Sequence, residues 1–100
     1  MDQSEAINKV KQYRVLLDQY FDLEAVYLFG SYASKSNRED SDIDVAVVMS
    51  NISGDFFSVN PLLWKLRRQI DDRIEPVLID KDYDASGFLE EIKKSGIEIS

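Results

Sequence analysis

The sequence predicts a small α/β fold of the α+β kind, a mixed β-sheet with helices packed on one face, on three observations. Apolar residues recur at helical spacing near the start of the chain. Three short apolar, β-branched runs read as strands (Ala25–Phe29, Ile43–Val48 and Ile74–Ile79), and segments of helical pattern or turn chemistry separate them. The order α-β-turn-β-α-β-α suits a two-layer sandwich. At 100 residues the chain is expected to form one domain, spanning 1–100, that buries roughly two-thirds of the surface of its extended form.

The first helix is expected over Ser4 to Tyr20. Ala6, Val10, Tyr13, Leu17 and Tyr20 make its apolar stripe, Ile7 and Leu16 widen it, and Ser4 is the expected N-cap. Ala25 to Phe29 is a buried strand closed by Gly30, and Ser31 to Lys35 makes a helical turn. Ser36 to Ser41 is polar loop. Ile43 to Val48 is the second strand. Ser50 to Asn60, with Gly54 and several serines and asparagines, is expected to be a connecting loop. Pro61 then suits the first turn of a helix facing inward through Leu62, Leu63, Leu66 and Ile70. Ile74 to Ile79 is the third strand, Gly87 to Lys94 a last short helix, and Ile97 to Ile99 a terminal strand. Pro76 lacks an N–H, which confines its strand to a sheet edge or to a ladder position that needs no donor.

Composition narrows the chemistry. The chain has no cysteine and no histidine, which removes thiol nucleophiles, disulfides, imidazole bases and the usual zinc ligands. A metal would have to be held by oxygen, favouring Mg²⁺, Mn²⁺ or Ca²⁺. Proton transfer would run through a carboxylate, an amine, a phenol or water. A net charge of −7 argues against a grip on long nucleic acid. The longest apolar runs, Ala25–Phe29 and Val45–Met49, are far too short to span a membrane, and the polar start is no signal peptide. A cytoplasmic location is expected.

Chemistry concentrates between Gly30-Ser31 and Asp42-Ile43-Asp44. Residues two apart on a strand share a face, so Asp42 and Asp44 project together with Cα atoms roughly 6–7 Å apart. Their repulsion, about 1 kcal/mol in water and more in a drier site, calls for a cation. If Ile74 and Leu78 face the helices, Glu75 points to the open face with the two aspartates. An acidic run alone is usually a solvated loop, but Asp42 and Asp44 lead directly into Val45-Ala46-Val47-Val48, which reads as sheet core. A calcium-loop reading of Asp40, Asp42 and Asp44 fails, because Val45 and Asn51 stand where that loop needs glycine and glutamate.

Gly30 offers bare backbone N–H groups to a phosphate, and the Ser31 hydroxyl adds a donor. No second glycine or Gly-Lys-Ser/Thr follows, so this is not a Walker loop. Lys35 and Arg38, between turn and acids, could meet triphosphate oxygens or could be solvated loop charges. Lys65, Arg67 and Arg68 read as a solvated face or a small contact patch. Trp64 and most tyrosines read as packing residues; Tyr32, beside the turn, is the candidate for stacking on a base.

Together, Leu28-Phe29-Gly30-Ser31-Tyr32-Ala33, the spacing to Ser41-Asp42-Ile43-Asp44-Val45, and Ile74-Glu75-Pro76 resemble the DNA polymerase β nucleotidyltransferase superfamily. Within it, the chain is similar to the minimal nucleotidyltransferases of bacteria and archaea. The resemblance implies a palm-like mixed sheet, two Mg²⁺ ions with Mn²⁺ as a substitute, and transfer of a nucleoside monophosphate from a nucleoside triphosphate. Asp42, Asp44 and Glu75 match the catalytic and metal-binding acids, and Gly30 and Ser31 match the nucleotide's phosphate turn, to which Lys35 and Arg38 would add charge. Ala33-Ser34-Lys35 stands where relatives usually carry Ala-Arg-Gly, and Glu75 stands where aspartate is common. Relatives of this size often accompany a helical HEPN-domain protein as the antitoxin of a toxin–antitoxin pair, some by AMP transfer from ATP to a partner hydroxyl. The alternative is a catalytically weak or inactive module that neutralises such a partner by occlusion. Acceptor identity, base preference and self-association stay open.

Overall fold

The first two strands are buried at successive rather than alternate positions, so much of the sheet is covered on both faces, and this decides the architecture. The computed structural model describes residues 1–52, 55–84 and 86–100. Strand β1 (Ala25–Phe29) pairs antiparallel with β2 (Ile43–Met49), and β2 pairs parallel with β3 (Ile74–Asp80). The two-residue β4 (Ile97–Glu98) adds antiparallel to β1, giving the order β3-β2-β1-β4. The sheet is mixed, as the sequence predicts, and β3 is an edge, which accommodates Pro76.

Helix α1 (Gln3–Asp18) and helix α3 (Phe56–Leu66) cover one face, with the single turn α2 (Ser31–Ser34) beside them. Ala6, Val10, Tyr13 and Leu17 of α1 and Val59, Leu63 and Leu66 of α3 meet Val26, Leu28, Ile43, Val45, Val47 and Ile74 from the sheet. The buried Tyr13 hydroxyl donates to the Leu63 carbonyl at 2.8 Å and ties the two helices together, and burial pushes its phenol above the usual range. Tyr13→Phe is expected to lower stability by about 1 kcal/mol. Urea unfolding checks this, since the shape of the side chain is otherwise kept.

Helix α4 (Phe88–Ser95) departs from the one-face expectation. Leu89 and Ile92 pack on the opposite face, against Tyr27, Ala46, Val48 and Ile79. The alternate strand positions are apolar at that end, so they need a cover of their own. The far end of the same face, at the start of β2 and β3, carries the acids instead.

Three local expectations are corrected. The N-cap of α1 is Asp2, whose carboxylate accepts from the Glu5 N–H at 2.9 Å, not Ser4. Helix α3 starts at Phe56, inside the segment expected to be loop, and Pro61 lies within it rather than in its first turn. The earlier turns of α3 bury only Val59, so little inward periodicity marks them. Pro61 is exposed and forgoes only a bond to the Phe57 carbonyl, which water can serve. Ser53 and Gly54 of that expected loop lie outside the described residues. Among the described residues, no helix is long and apolar enough to cross a membrane.

The approach to β3 is fastened at several points. Asp71 accepts from Arg73 at 2.9 Å and pairs with Lys9 of α1 at 3.3 Å, and these contacts hold its carboxyl well below the usual range. A depressed carboxylate pKa stabilises the fold above its unfolded value of about 4, and that contribution fades as pH falls through the native value. Asp71→Asn is therefore expected to be less stable than the wild type at neutral pH, with the deficit shrinking in acid. Denaturant midpoints at both pH values measure it.

Candidate active site

Gly30 closes β1 with φ +74° and ψ −147°, a conformation that side-chain-bearing residues rarely adopt. A Cβ there would run into the Asp44 carboxylate, with the Asp44 Cγ only 3.1 Å away. The glycine thus lets the turn lie directly on the second aspartate. The turn itself closes through the Ser34 N–H, which donates to the Gly30 carbonyl at 3.2 Å.

Asp42 and Asp44 flank Ile43 at the start of β2. Ile43 is fully buried among the helices, so the two acids emerge on the opposite face. The register pairs Asp44 with Phe29 on one side and with Glu75 on the other, so the three form one row across the sheet. Ile74 packs among the helices and Val77 on the α4 side, which sets Glu75 on the aspartates' face. The three acids thus share the face that the sequence predicts for them.

Two features fix the start of that row. The Arg38 N–H donates to Ser41 Oγ at 2.7 Å and the Ser41 N–H donates back to the Arg38 carbonyl at 3.1 Å, shaping the turn that delivers Asp42. The Ile43 N–H donates to the Arg73 carbonyl at 2.8 Å, which locks β2 to the chain entering β3. Arg67, in the 3₁₀ turn Arg67–Gln69 after α3, donates to the carbonyls of Asp72 and Ile74.

Electrostatics register the crowding. Partial burial and then the Asp42 charge push the Asp44 carboxyl above its usual range. Glu75 is raised first by desolvation, then by Asp42 within hydrogen-bonding reach and by Asp44, with Arg67 opposing. The three carboxylates share the face without closing into a ligand cage among the described residues. The donor set nevertheless fits a hard divalent cation: it is all oxygen, it is strained by mutual repulsion that a cation would relieve, and the bare Gly30 lies directly against Asp44.

The remaining predicted site residues stand differently. Ser31 begins α2 directly after Gly30, beside the row of acids. Lys35 is exposed at the end of α2 with φ +60°, and Arg38 is exposed in the loop; among the described residues neither forms an ion pair. Tyr32 is fully buried in the core, which removes it as a base-stacking residue. It follows Ser31 in a tight turn, so its ring swings inward while the turn faces the acids. Sequence reading missed two neighbours of the site. Phe29 sits beside Asp44 in the row and packs edge-on against Phe88 of α4 at 5.7 Å. Arg67, grouped with the helix cations, acts on Glu75 through a chain reversal that no local pattern signals.

The sequence profile of "Polymerase beta, Nucleotidyltransferase" matches residues 8–100. Among solved structures, a candidate nucleotidyltransferase from Sulfolobus solfataricus is similar at 23% identity with a TM-score of 0.64, covering 96% of this chain and 80% of that one. A toxin–antitoxin structure with AMP-PNP is similar at 26% identity with a TM-score of 0.62, covering 93% and 73%. A mutant toxin–antitoxin MntA–HpeT, in which two aspartates are replaced by glutamate, is similar at 23% identity with a TM-score of 0.58, covering 92% and 72%. A search of curated proteins found no match.

Proposed function

The chain belongs to the polymerase β nucleotidyltransferase family, and from that premise we propose that it transfers a nucleoside monophosphate, AMP from ATP, to a hydroxyl on a partner protein. The observation that carries this reading is the single row of Asp44 and Glu75, headed by Asp42, against the bare Gly30 turn.

Asp42 and Asp44, with Glu75, would hold the divalent cations, Mg²⁺ or in its place Mn²⁺. Bound there, they supply charge neutralisation of the triphosphate and of the departing pyrophosphate. Gly30 and Ser31 would cradle phosphate oxygens, with Lys35 and Arg38 free to swing toward the outer phosphates. The acceptor hydroxyl oxygen forms a bond to the α-phosphorus as the bond from that phosphorus to the β-phosphate oxygen breaks, releasing pyrophosphate. The hydroxyl proton passes to the Glu75 carboxylate, which stands beside Asp44 across the parallel register. With no histidine in the chain, a carboxylate is the natural acceptor. In-line positioning and electrostatic stabilisation account for the rate.

The toxin–antitoxin structure at 26% identity supports a partner protein; that this partner is the acceptor, and that the chain is the antitoxin of a HEPN-type toxin, is the form we propose. Incubating the chain with radiolabelled ATP, Mg²⁺ and such a partner should label the partner. A wild type no more active than Asp42→Ala/Asp44→Ala would defeat the reading. Protection of cells by that double variant would instead favour neutralisation by occlusion.

A further inference from the structure

The outer face of α3 is apolar where a solvated helix would be polar. Phe57 is 87% exposed, and Phe56 and Trp64 are exposed beside it. Positions 57, 61 and 64 fall on one stripe, directly opposite the buried Val59, Leu63 and Leu66, and Arg68 continues it into the following turn. The stripe runs roughly 16 Å along the helix, or about three turns. An exposed apolar stripe of this kind on a small soluble fold marks a contact surface.

Its charge is equally out of character. In a chain of net charge −7, Lys65, Arg67 and Arg68 cluster at the C-terminal end of the stripe, and among the described residues none is paired with a carboxylate. The Arg67 guanidinium lies over the Trp64 ring at 4.7 Å and donates to the Ile74 carbonyl at 3.1 Å, one residue before Glu75. The patch is therefore continuous with the edge strand that presents the third acid. Because α3 covers the face of the sheet opposite the acids, a body lying along it would approach them around the β3 edge.

We infer that the Phe57–Pro61–Trp64–Arg68 stripe is the docking surface for the acceptor protein, and that the docked element is an amphipathic helix with acidic residues flanking its apolar face. Aromatic anchors on the stripe would be buried by the apolar residues, and Lys65 and Arg68 would meet the carboxylates, with Arg67 held over Trp64. The net negative charge disfavours nucleic acid as the occupant. This inference deepens the proposed transfer to a protein and rests on it.

Trp64 is the chain's only tryptophan, so its fluorescence reports the patch directly. The probes are a synthetic helical peptide with leucines along one side flanked by glutamates, the same peptide with lysines for glutamates, and a short single-stranded oligonucleotide. The acidic peptide should change the Trp64 emission saturably and bind roughly tenfold more tightly than its lysine counterpart. Phe57→Ser and Arg68→Glu, both on the solvent side, should each weaken it by roughly tenfold while melting at the wild-type temperature. No binding, equal binding of the two peptides, or preference for the oligonucleotide overturns the inference. So does an emission change with protein concentration alone, which would assign the stripe to a second copy of the chain. Thermal shift with ATP and Mn²⁺ is run alongside: a retained shift without peptide binding ends the docking inference and leaves the transfer reading standing, whereas peptide binding without that shift ends the transfer reading and overturns the stripe's role as the acceptor's dock.

Discussion

Asp44→Asn is expected to abolish nucleotidyl transfer while making the metal-free protein more stable. The loss of activity should be on the order of a thousandfold, because one of the three carboxylates proposed to hold the cations becomes a weak neutral ligand. The gain in stability follows from the raised carboxyls of Asp44 and Glu75. An acid whose folded pKa lies above its unfolded value costs nothing below about pH 4, where both states are protonated. The cost builds as pH rises through the native value and is complete above it. Removing the Asp44 charge removes that cost and eases Glu75 as well. Relief of one close repulsion is worth on the order of 1 kcal/mol in a solvated site, or about 4–8 °C in melting temperature for a domain of this size. Thermal melts in a chelator should show the variant above the wild type at pH 7 and the two converging in acid. Millimolar Mn²⁺ should raise the wild type and leave the variant nearly unmoved. A variant that melts lower than the wild type at neutral pH would show that the carboxylate is structural, and the charge-strain account of the site would fail.

Gly30→Ala should damage the fold and the site together. The backbone there has φ +74° and ψ −147°, a region whose occupation by a non-glycine residue costs about 1–3 kcal/mol. The added Cβ would also strike the Asp44 carboxylate, which cannot retreat without leaving the row it shares with Phe29 and Glu75. Both stability and transfer are expected to fall. The two causes separate in a double-mutant cycle with Asp44→Ala, which removes the collision and keeps the backbone strain. The cycle should show the pair less destabilised than the sum of the singles. Strict additivity would mean that the clash is relieved elsewhere and that the glycine serves the turn alone.

Much of this site is legible along the chain because strand periodicity is a local rule. Two acids spaced by two must share a face, and Ile74 and Leu78 dictate the side on which Glu75 emerges, so their meeting follows once the sheet forms. Pro76 signals an edge by lacking a donor, and β3 is one. Helix α3 was harder to place. Phe56, Phe57 and Pro61 are turned to water, so the apolar face that marks a helix starts late, and its beginning resembles loop. Tyr32 misled for the opposite reason. Its neighbours Gly30 and Ser31 belong to the site, while its own ring packs in the core, and one-residue differences in direction within a tight turn leave no trace in composition.

The order of elements, the oxygen-only chemistry, the acid spacing and the family's turn follow from the sequence alone, because each depends on residues close along the chain. The tertiary structure decided what pairing across distance decides. It set Asp44 opposite Glu75 through a parallel register, laid Gly30 on the aspartate, carried α4 to the acids' side, and brought the Arg67 charge to bear on Glu75. Those relations arise only when burial of apolar strand faces fixes which strands meet and in what alignment, and sequence separation hides that outcome.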